Sequence, residues 1–495
     1  ATRVVDLDGS TLVPGLIDAH FHLRNFGLLL SRVNLIGTKS WEDVVARVVE
    51  RGATTPSGEW IFGRGWDQND WDVKEFPTSA AIDSLLPGRL VYLRRVDGHA
   101  AIASRAALER AGIRVGTPDP PGGRIIRDSL GVPTGVLIDA ATTAVSSIIP
   151  EPGPAEQESL VAMAMRECAA AGLTGVHDMG TGAVTLEALQ HMDAGGRLPI
   201  RVDSYISSAD SSFLRLIERG PRVAAGDEHL SVRGVKIHLD GAMGSRGAAM
   251  LEPYADDPGN TGLLQHTDEE LRTISGLAWE RGFQIATHAI GDRANRVILD
   301  RYEELLRSTD AGGDWRPRVE HAQILAHEDV ARFASLGVIA SMQPTHATSD
   351  MPWAEDRVGS ERIRGGYLWR TLLDSGARLA FGSDCPVESH EPLLGIYAAV
   401  TRQDLDGNPA GGWRANERVS ALEALRAFTI GAAHAGFDEA RLGTLAVGKE
   451  ADCVVLSTDP LSEKPEKIPR ILVLGTWVGG RLVHSDSSLR IATAP

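Results

Sequence analysis

The chain has 495 residues, 43% hydrophobic and 23% charged, with 53 Gly and 25 Pro, which excludes collagen-like, disordered and low-complexity classes. Lys and Arg number 50 against 66 Asp and Glu, a formal charge of -16. So acidic a chain repels phosphate backbones and anionic lipid surfaces, so neither nucleic acid nor membrane is an expected partner.

The length leaves room for one large domain or two to three smaller ones, and the aromatic content of 5% suits an Ala/Gly/Val/Leu-rich α/β interior. Cys168, Cys385 and Cys453 show no CxxC spacing, so neither a disulfide framework nor a structural zinc site is expected, and a reducing, cytoplasmic compartment fits. No window approaches the roughly 18 apolar residues of a membrane span. No signal-peptide pattern is seen in a sequence that opens on Ala1.

In chain order, residues 3–12 (RVVDLDGSTL) read as short strands, and the apolar run VPGLIDAHFH follows. Residues of about 40–160, rich in Gly, Pro and Trp, interrupt the pattern with GRGWDQNDW and RVDGHAA; an insertion of that size on a βα loop is expected to overhang an active face. From about residue 160 a phrase repeats: a helix ends in Gly, and a short apolar strand follows and runs into polar residues. It appears in AAAGLTGVHDMG, WERGFQIATHAIGD, ASLGVIASMQPTH and LDSGARLAFGSDCP. Gly is a helix stop because it takes the left-handed conformation without a Cβ clash.

Eight strands are predicted, near 14–22, 173–178, 200–206, 232–239, 283–288, 318–323, 338–343 and 378–383. Alternation with helices predicts a parallel α/β sheet, and eight units predict a (β/α)8 TIM barrel with its chemistry at the C-terminal strand ends. An open doubly wound sheet is the alternative, but no strand is followed by GxGxxG. The C-terminal run GTLAVGKEADCVVL…TWVGGRLV reads as further short strands. With residues 3–12 it is expected to form a small β domain.

Ligand-type side chains gather at the predicted strand ends. His20 and His22 are two apart on a strand, so both imidazoles face one side and can reach one metal. In a chain with 15 His an isolated HxH pair carries little weight; its place at the end of an apolar strand gives it meaning. Lys236 lies inside an apolar strand, where an unpartnered Lys is rare; the plain alternative is a Lys that reaches the surface. His288, His321 and Asp384 fall on the fifth, sixth and eighth strands. Singly, each His also reads as a hydrogen-bonded core residue, and Asp384 as a helix N-cap before Cys385-Pro386. Jointly, a barrel would bring these polar groups together without compensation.

The order HxH, Lys, His, His, Asp on strands one, four, five, six and eight, together with LDGAMGSR, THAIGD, VEHAQ and GSDCPVE, resembles the amidohydrolase superfamily. It is similar to the YtcJ-like branch, which includes N-substituted formamide deformylase. The resemblance spans essentially the whole chain. It implies a barrel at 14–435 with the inserted subdomain at about 40–160, and a composite β-sandwich of 1–13 and 436–495. Members usually carry several sandwich strands before the HxH strand, so that sandwich is expected to lack part of its N-terminal half.

The resemblance further implies two divalent metal ions, zinc first among them. His20, His22 and Asp384 would bind the more buried ion, His288 and His321 the second, and Lys236, carboxylated by carbon dioxide to a carbamate, would bridge them. An ammonium aimed at a dication is repulsive, whereas a carbamate offers each ion an anionic oxygen. With Lys236 unmodified, a one-metal site is the fallback.

The implied reaction is hydrolysis of a linear, non-peptide amide C–N bond. The substrate is an N-formyl or N-acyl amide with an apolar substituent, attacked by a metal-activated hydroxide, with Asp384 moving the proton. The alternatives are a lactone or ester hydrolase, a mononuclear deaminase, or a metal-binding barrel without turnover. A homodimer is compatible with this reading. Candidate substrate contacts are Trp66, Asp67, Trp71, Asp97, His99 and Arg246; for the Trp residues, packing within the inserted subdomain is the competing reading. His177 and Asp178 are candidates for orienting a ligand His. Cys385 lacks a general base in its motif and reads as a structural thiol.

Overall fold

The computed structural model describes residues 5–95, 99–308, 313–489 and 492–493. All eight predicted strands are present: β1 (Leu16–Phe21), β2 (Leu173–Thr181), β3 (Arg201–Ser207), β4 (Leu230–His238), β5 (Gln284–Ala289), β6 (Arg318–His321), β7 (Ile339–Met342) and β8 (Arg378–Phe381). Each pairs in parallel with its chain neighbour.

The sheet closes where β8 returns to β1. Phe21 bridges Cys385 in parallel, the Asp384 N–H donates to the His20 carbonyl at 2.8 Å, and the His22 N–H donates to the Cys385 carbonyl at 3.0 Å. The result is a (β/α)8 barrel. Gly172, Gly282, Gly337 and Gly376, which end the helices before β2, β5, β7 and β8, have φ between +66° and +87°, the conformation expected of a helix-stopping glycine.

Close approach explains another glycine. A Cβ on Gly382 would lie 2.5 Å from Asp18 Oδ1 and from the His20 amide nitrogen, so only glycine lets the end of β8 come this near to β1. Asp18 is buried there, accepting N–H groups of His20 and Ser383, each at 3.0 Å.

The chain ends meet as expected. Thr11–Pro14 pairs antiparallel with Cys453–Leu456, which continues to Val473–Val478 and Arg481–Ser485 in a four-stranded sheet. Val5–Asp6 pairs with Ala492–Thr493.

The excursion after β1 is a compact unit of its own, Phe26–Glu156, and so starts earlier than the expected 40. Its six-stranded mixed sheet runs, in spatial order, Val33–Asn34, Trp60–Trp66, Leu90–Arg95, Ala100–Ala103, Pro133–Asp139 and Gly123–Arg127. The first of these strands has only two residues, too short for a sequence periodicity to reveal. The unit has its own apolar clusters around Val44, Val48, Trp66 and Ile102 and around Tyr92, Leu108 and Leu137. Among the described residues no helix is long and apolar enough to cross a membrane.

Candidate active site

His20, His22, Lys236, His288, His321 and Asp384 line one cavity of about 390 Å3 at the C-terminal ends of the barrel strands. The closure between β1 and β8 sets its centre. Asp384 Oδ1 lies 3.0 Å from His22 Nε2 and 3.4 Å from His20 Nε2. Lys236 Nζ, buried in β4, is 3.3 Å from His20 Nε2. No carboxylate among the described residues forms an ion pair with it, although β4 offers it no solvent.

Two residues that close strands into this cavity hold unusual backbone: φ is +75° at His321 and +61° at Asp384. A left-handed non-glycine residue costs of the order of 1–3 kcal/mol and persists where the surroundings hold it. Here the strain turns both side chains inward.

A supporting layer fixes the ring orientations. His20 Nδ1 pairs with Glu320 Oε2 at 2.6 Å, and Glu320 in turn takes Arg318 Nε at 2.8 Å. His321 Nδ1 pairs with Gln343 Oε1 at 2.8 Å. A carboxylate or amide oxygen can only accept, so each Nδ1 carries the proton and each Nε2 keeps its lone pair toward the cavity. Asp240 takes the N–H groups of Ala249, Ile290 and Gly291 at 2.9–3.0 Å and stands 3.4 Å from His288 Nε2.

Burial dominates the electrostatics. It drives the His20 and His321 imidazoles well below their ordinary value and His288 down to about 3. It also pulls the Lys236 amine down to about 8. Burial alone would raise Asp384, but His20, His22 and His321 around it hold its carboxyl well below the usual range. The set is therefore a group of buried imidazoles gathered around an ionised carboxylate.

This donor set fits divalent cations. The ligand atoms of His20, His22 and Asp384 lie within 4.8 Å of one another, and so do those of His321, His346 and Asp384. Nε2 of His288 and of His346 is buried without a hydrogen-bond partner, a costly condition for a polar atom unless a cation satisfies it.

The remaining sequence candidates are engaged with other partners or lie outside the described residues. Trp66 is fully buried in the inserted unit's core, its indole N–H donating to the Leu93 carbonyl at 3.0 Å; Trp71 packs beside it and donates to the Thr38 carbonyl. For both, packing accounts for the side chain. Asp67 receives Arg95. His99 is exposed, with Nδ1 2.8 Å from Asp139. Asp97 lies outside the described residues. Arg246 is held by Asp256 through two hydrogen bonds, 3.0 and 2.9 Å.

Neither His177 nor Asp178 touches a ligand His. His177 Nδ1 accepts from Arg318, and Asp178 accepts from the Leu23 N–H and the Thr181 hydroxyl. Cys385 is buried, and burial pushes its thiol far up, which suits a structural role.

Sequence reasoning passed over His346, His238, Arg318, Glu320, Asp240 and Gln343. The RVEH run carried one signal: Arg318 and Glu320, two apart on an otherwise apolar strand, point to the same side.

The sequence profile of the Amidohydrolase family matches residues 3–484. The putative amidohydrolase YtcJ of Bacillus subtilis (strain 168) is 33% identical over 98% of this chain and 91% of its own. The N-substituted formamide deformylase of Arthrobacter pascens is 30% identical over 97% of this chain and 89% of its own. An uncharacterized metal-dependent hydrolase from Pyrococcus furiosus superposes with a TM-score of 0.76 at 31% identity, covering 92% of this chain and 89% of the other. A match along nearly the whole chain, on a barrel whose strand ends converge as described, means that the chain belongs to the amidohydrolase family, as a metal-dependent hydrolase of carbon–nitrogen bonds.

Proposed function

We propose that the substrate is a linear, non-peptide amide, an N-formyl or N-acyl compound with an apolar substituent on nitrogen. The observation that carries this reading is the cavity wall. Met243, Ile290, Trp353 and Val387 line the same space as His22 and Asp384, so an apolar group fits beside the reacting centre. The name of the Arthrobacter pascens relative points the same way. Asp350 and Glu388 also line the cavity and no Arg does among the described residues, which disfavours substrates that carry a carboxylate.

His20, His22 and Asp384 would hold one zinc ion, and His288 and His321 a second, with Lys236 as a carbamate between them. Bound ions supply Lewis-acid polarisation of the carbonyl and a more acidic water. Asp384 takes the proton of the attacking water at a carboxylate oxygen and delivers it to the departing nitrogen, because an amine leaves an amide only when protonated.

The test is a screen of N-substituted formamides, acyl amides and lactones with zinc-loaded protein, beside Asp384→Asn. Turnover of formamides or acyl amides, with kcat reduced at least 10²-fold in Asp384→Asn, is the expected result. Turnover confined to lactones would overturn the reading.

A further inference from the structure

The residue that sequence reasoning missed at the centre of the site is His346. It follows β7 on the short helix Pro344–Asp350, and it is 92% buried, being 8% exposed. Its Nε2 reaches the cavity without a hydrogen-bond partner.

Asp384 divides its two oxygens. Oδ1 faces His20 and His22, whereas Oδ2 faces His346 Nε2 at 3.6 Å. That separation is too long for a hydrogen bond. Two ligand atoms each about 2.0–2.2 Å from a common ion at a near-tetrahedral angle stand about 3.4 Å apart, so it suits two donors sharing a cation.

The neighbours agree. The His321 and His346 rings lie 5.8 Å apart and nearly parallel, at 19°, with their ligand atoms and those of Asp384 clustered within 4.8 Å. Gln343, three residues before His346, fixes the His321 tautomer. One short segment thus orients one imidazole and supplies another. His288, by contrast, belongs to neither ligand cluster and stands against Asp240.

We propose that His346 is a ligand of the second metal ion, together with His321 and Asp384. This rests on the reading of the enzyme as a two-ion hydrolase. It adds a donor from the loop after the seventh strand to a set otherwise drawn from strands one, four, five, six and eight.

The experiment uses the full chain purified as the cobalt(II) holoenzyme, in parallel with His346→Ala and His346→Gln. Bound ions per chain are measured by elemental analysis during competition with a graded chelator. The visible cobalt absorption is recorded, and far- and near-UV circular dichroism checks folding. The wild type is expected to hold two ions. Folded His346 variants should keep one, release the other at a chelator strength at least tenfold lower, and show an altered visible band.

In the wild type, metal should also protect His346 from acylation by diethyl pyrocarbonate, read by mass spectrometry; this readout needs no variant. Wild type with two ions, variants with unchanged affinity and spectrum, and only KM raised would overturn the proposal alone and make His346 a substrate contact. Equal acylation of His346 with and without metal would also overturn it. A wild type that binds fewer than two ions would overturn the two-ion reading and this proposal together.

Discussion

His20 has both ring nitrogens committed, and that is what makes it a ligand rather than a buried base. Nδ1 is tied to Glu320 at 2.6 Å, and Nε2 faces Asp384 and Lys236. Glu320 is itself the partner of Arg318, with both side chains fully buried. Replacing Glu320 by Gln keeps the shape but strands a buried guanidinium, a change that costs about 3–5 kcal/mol. It also leaves one acceptor oxygen where His20 Nδ1 and Arg318 Nε each use their own, so the two compete, the His20 tautomer is less firmly set, and metal affinity falls by about 10–100-fold. The Glu320→Gln protein should therefore unfold at lower denaturant concentration and lose metal to weaker chelators than the wild type. Unchanged affinity would show that the His20 ring is held by packing alone. The contrast between ligand and partner explains what the sequence discloses at this scale. His20, His22 and Asp384 stand out jointly, because a barrel gathers its strand ends and would otherwise leave these polar groups together without compensation. Glu320 and Arg318 look like ordinary charges until the fold shows them buried.

The eight strands are legible because each is a short apolar run, and four of them, β2, β5, β7 and β8, are introduced by a helix-ending glycine: Gly172, Gly282, Gly337 and Gly376 all take the positive φ that such a stop requires. What the run of residues hides is any contact that spans the chain. The closure of β8 on β1 is one, made by residues about 365 apart that no local pattern links. His346 is another, since it stands on a short helix beyond β7 rather than at a strand end, so strand-end reasoning passed over it. The inserted unit began earlier than its composition announced for the same reason. Its first strand acquires meaning only by pairing Val33 and Asn34 with Gly63 and Arg64. The closure itself yields a prediction. A methyl group at Gly382 would collide with Asp18 Oδ1 and the His20 amide, neither of which is the free end of a flexible chain. Overpacking of this kind costs about 1–3 kcal/mol, and the displacement falls on the HxH strand. Gly382→Ala should lower stability and metal content together, as thermal unfolding and elemental analysis would show. A loss of stability with full metal content would mean that the strain is absorbed away from His20.

Across the whole barrel, the interior beneath the site is polar where apolar layers are usual. Arg318 on β6 reaches the Ala19 carbonyl on β1, His177 on β2, Tyr205 on β3 and Ser341 on β7. Tyr205 extends the network to Gln284 on β5. One guanidinium thus binds strands far apart in sequence, and the network works only while His177 stays neutral, because its Nδ1 must accept from Arg318. Burial, and then the Arg318 charge, hold the His177 imidazole well below its ordinary value. The sign of the linkage follows. A histidine whose folded value is depressed contributes stability that is fully present above about 6.5, where the unfolded chain is also neutral. That contribution is lost as pH falls and the unfolded chain alone takes up the proton. One proton corresponds to up to about 1.4 kcal/mol per pH unit. Replacing His177 by Gln keeps an acceptor for Arg318 but removes the titrating group. Urea midpoints of the holoenzyme between pH 7 and 5 should therefore fall less steeply for His177→Gln than for the parent, whatever the offset between them at pH 7. Parallel pH profiles would mean that His177 is protonated inside the barrel and that another group accepts the Arg318 hydrogen bond.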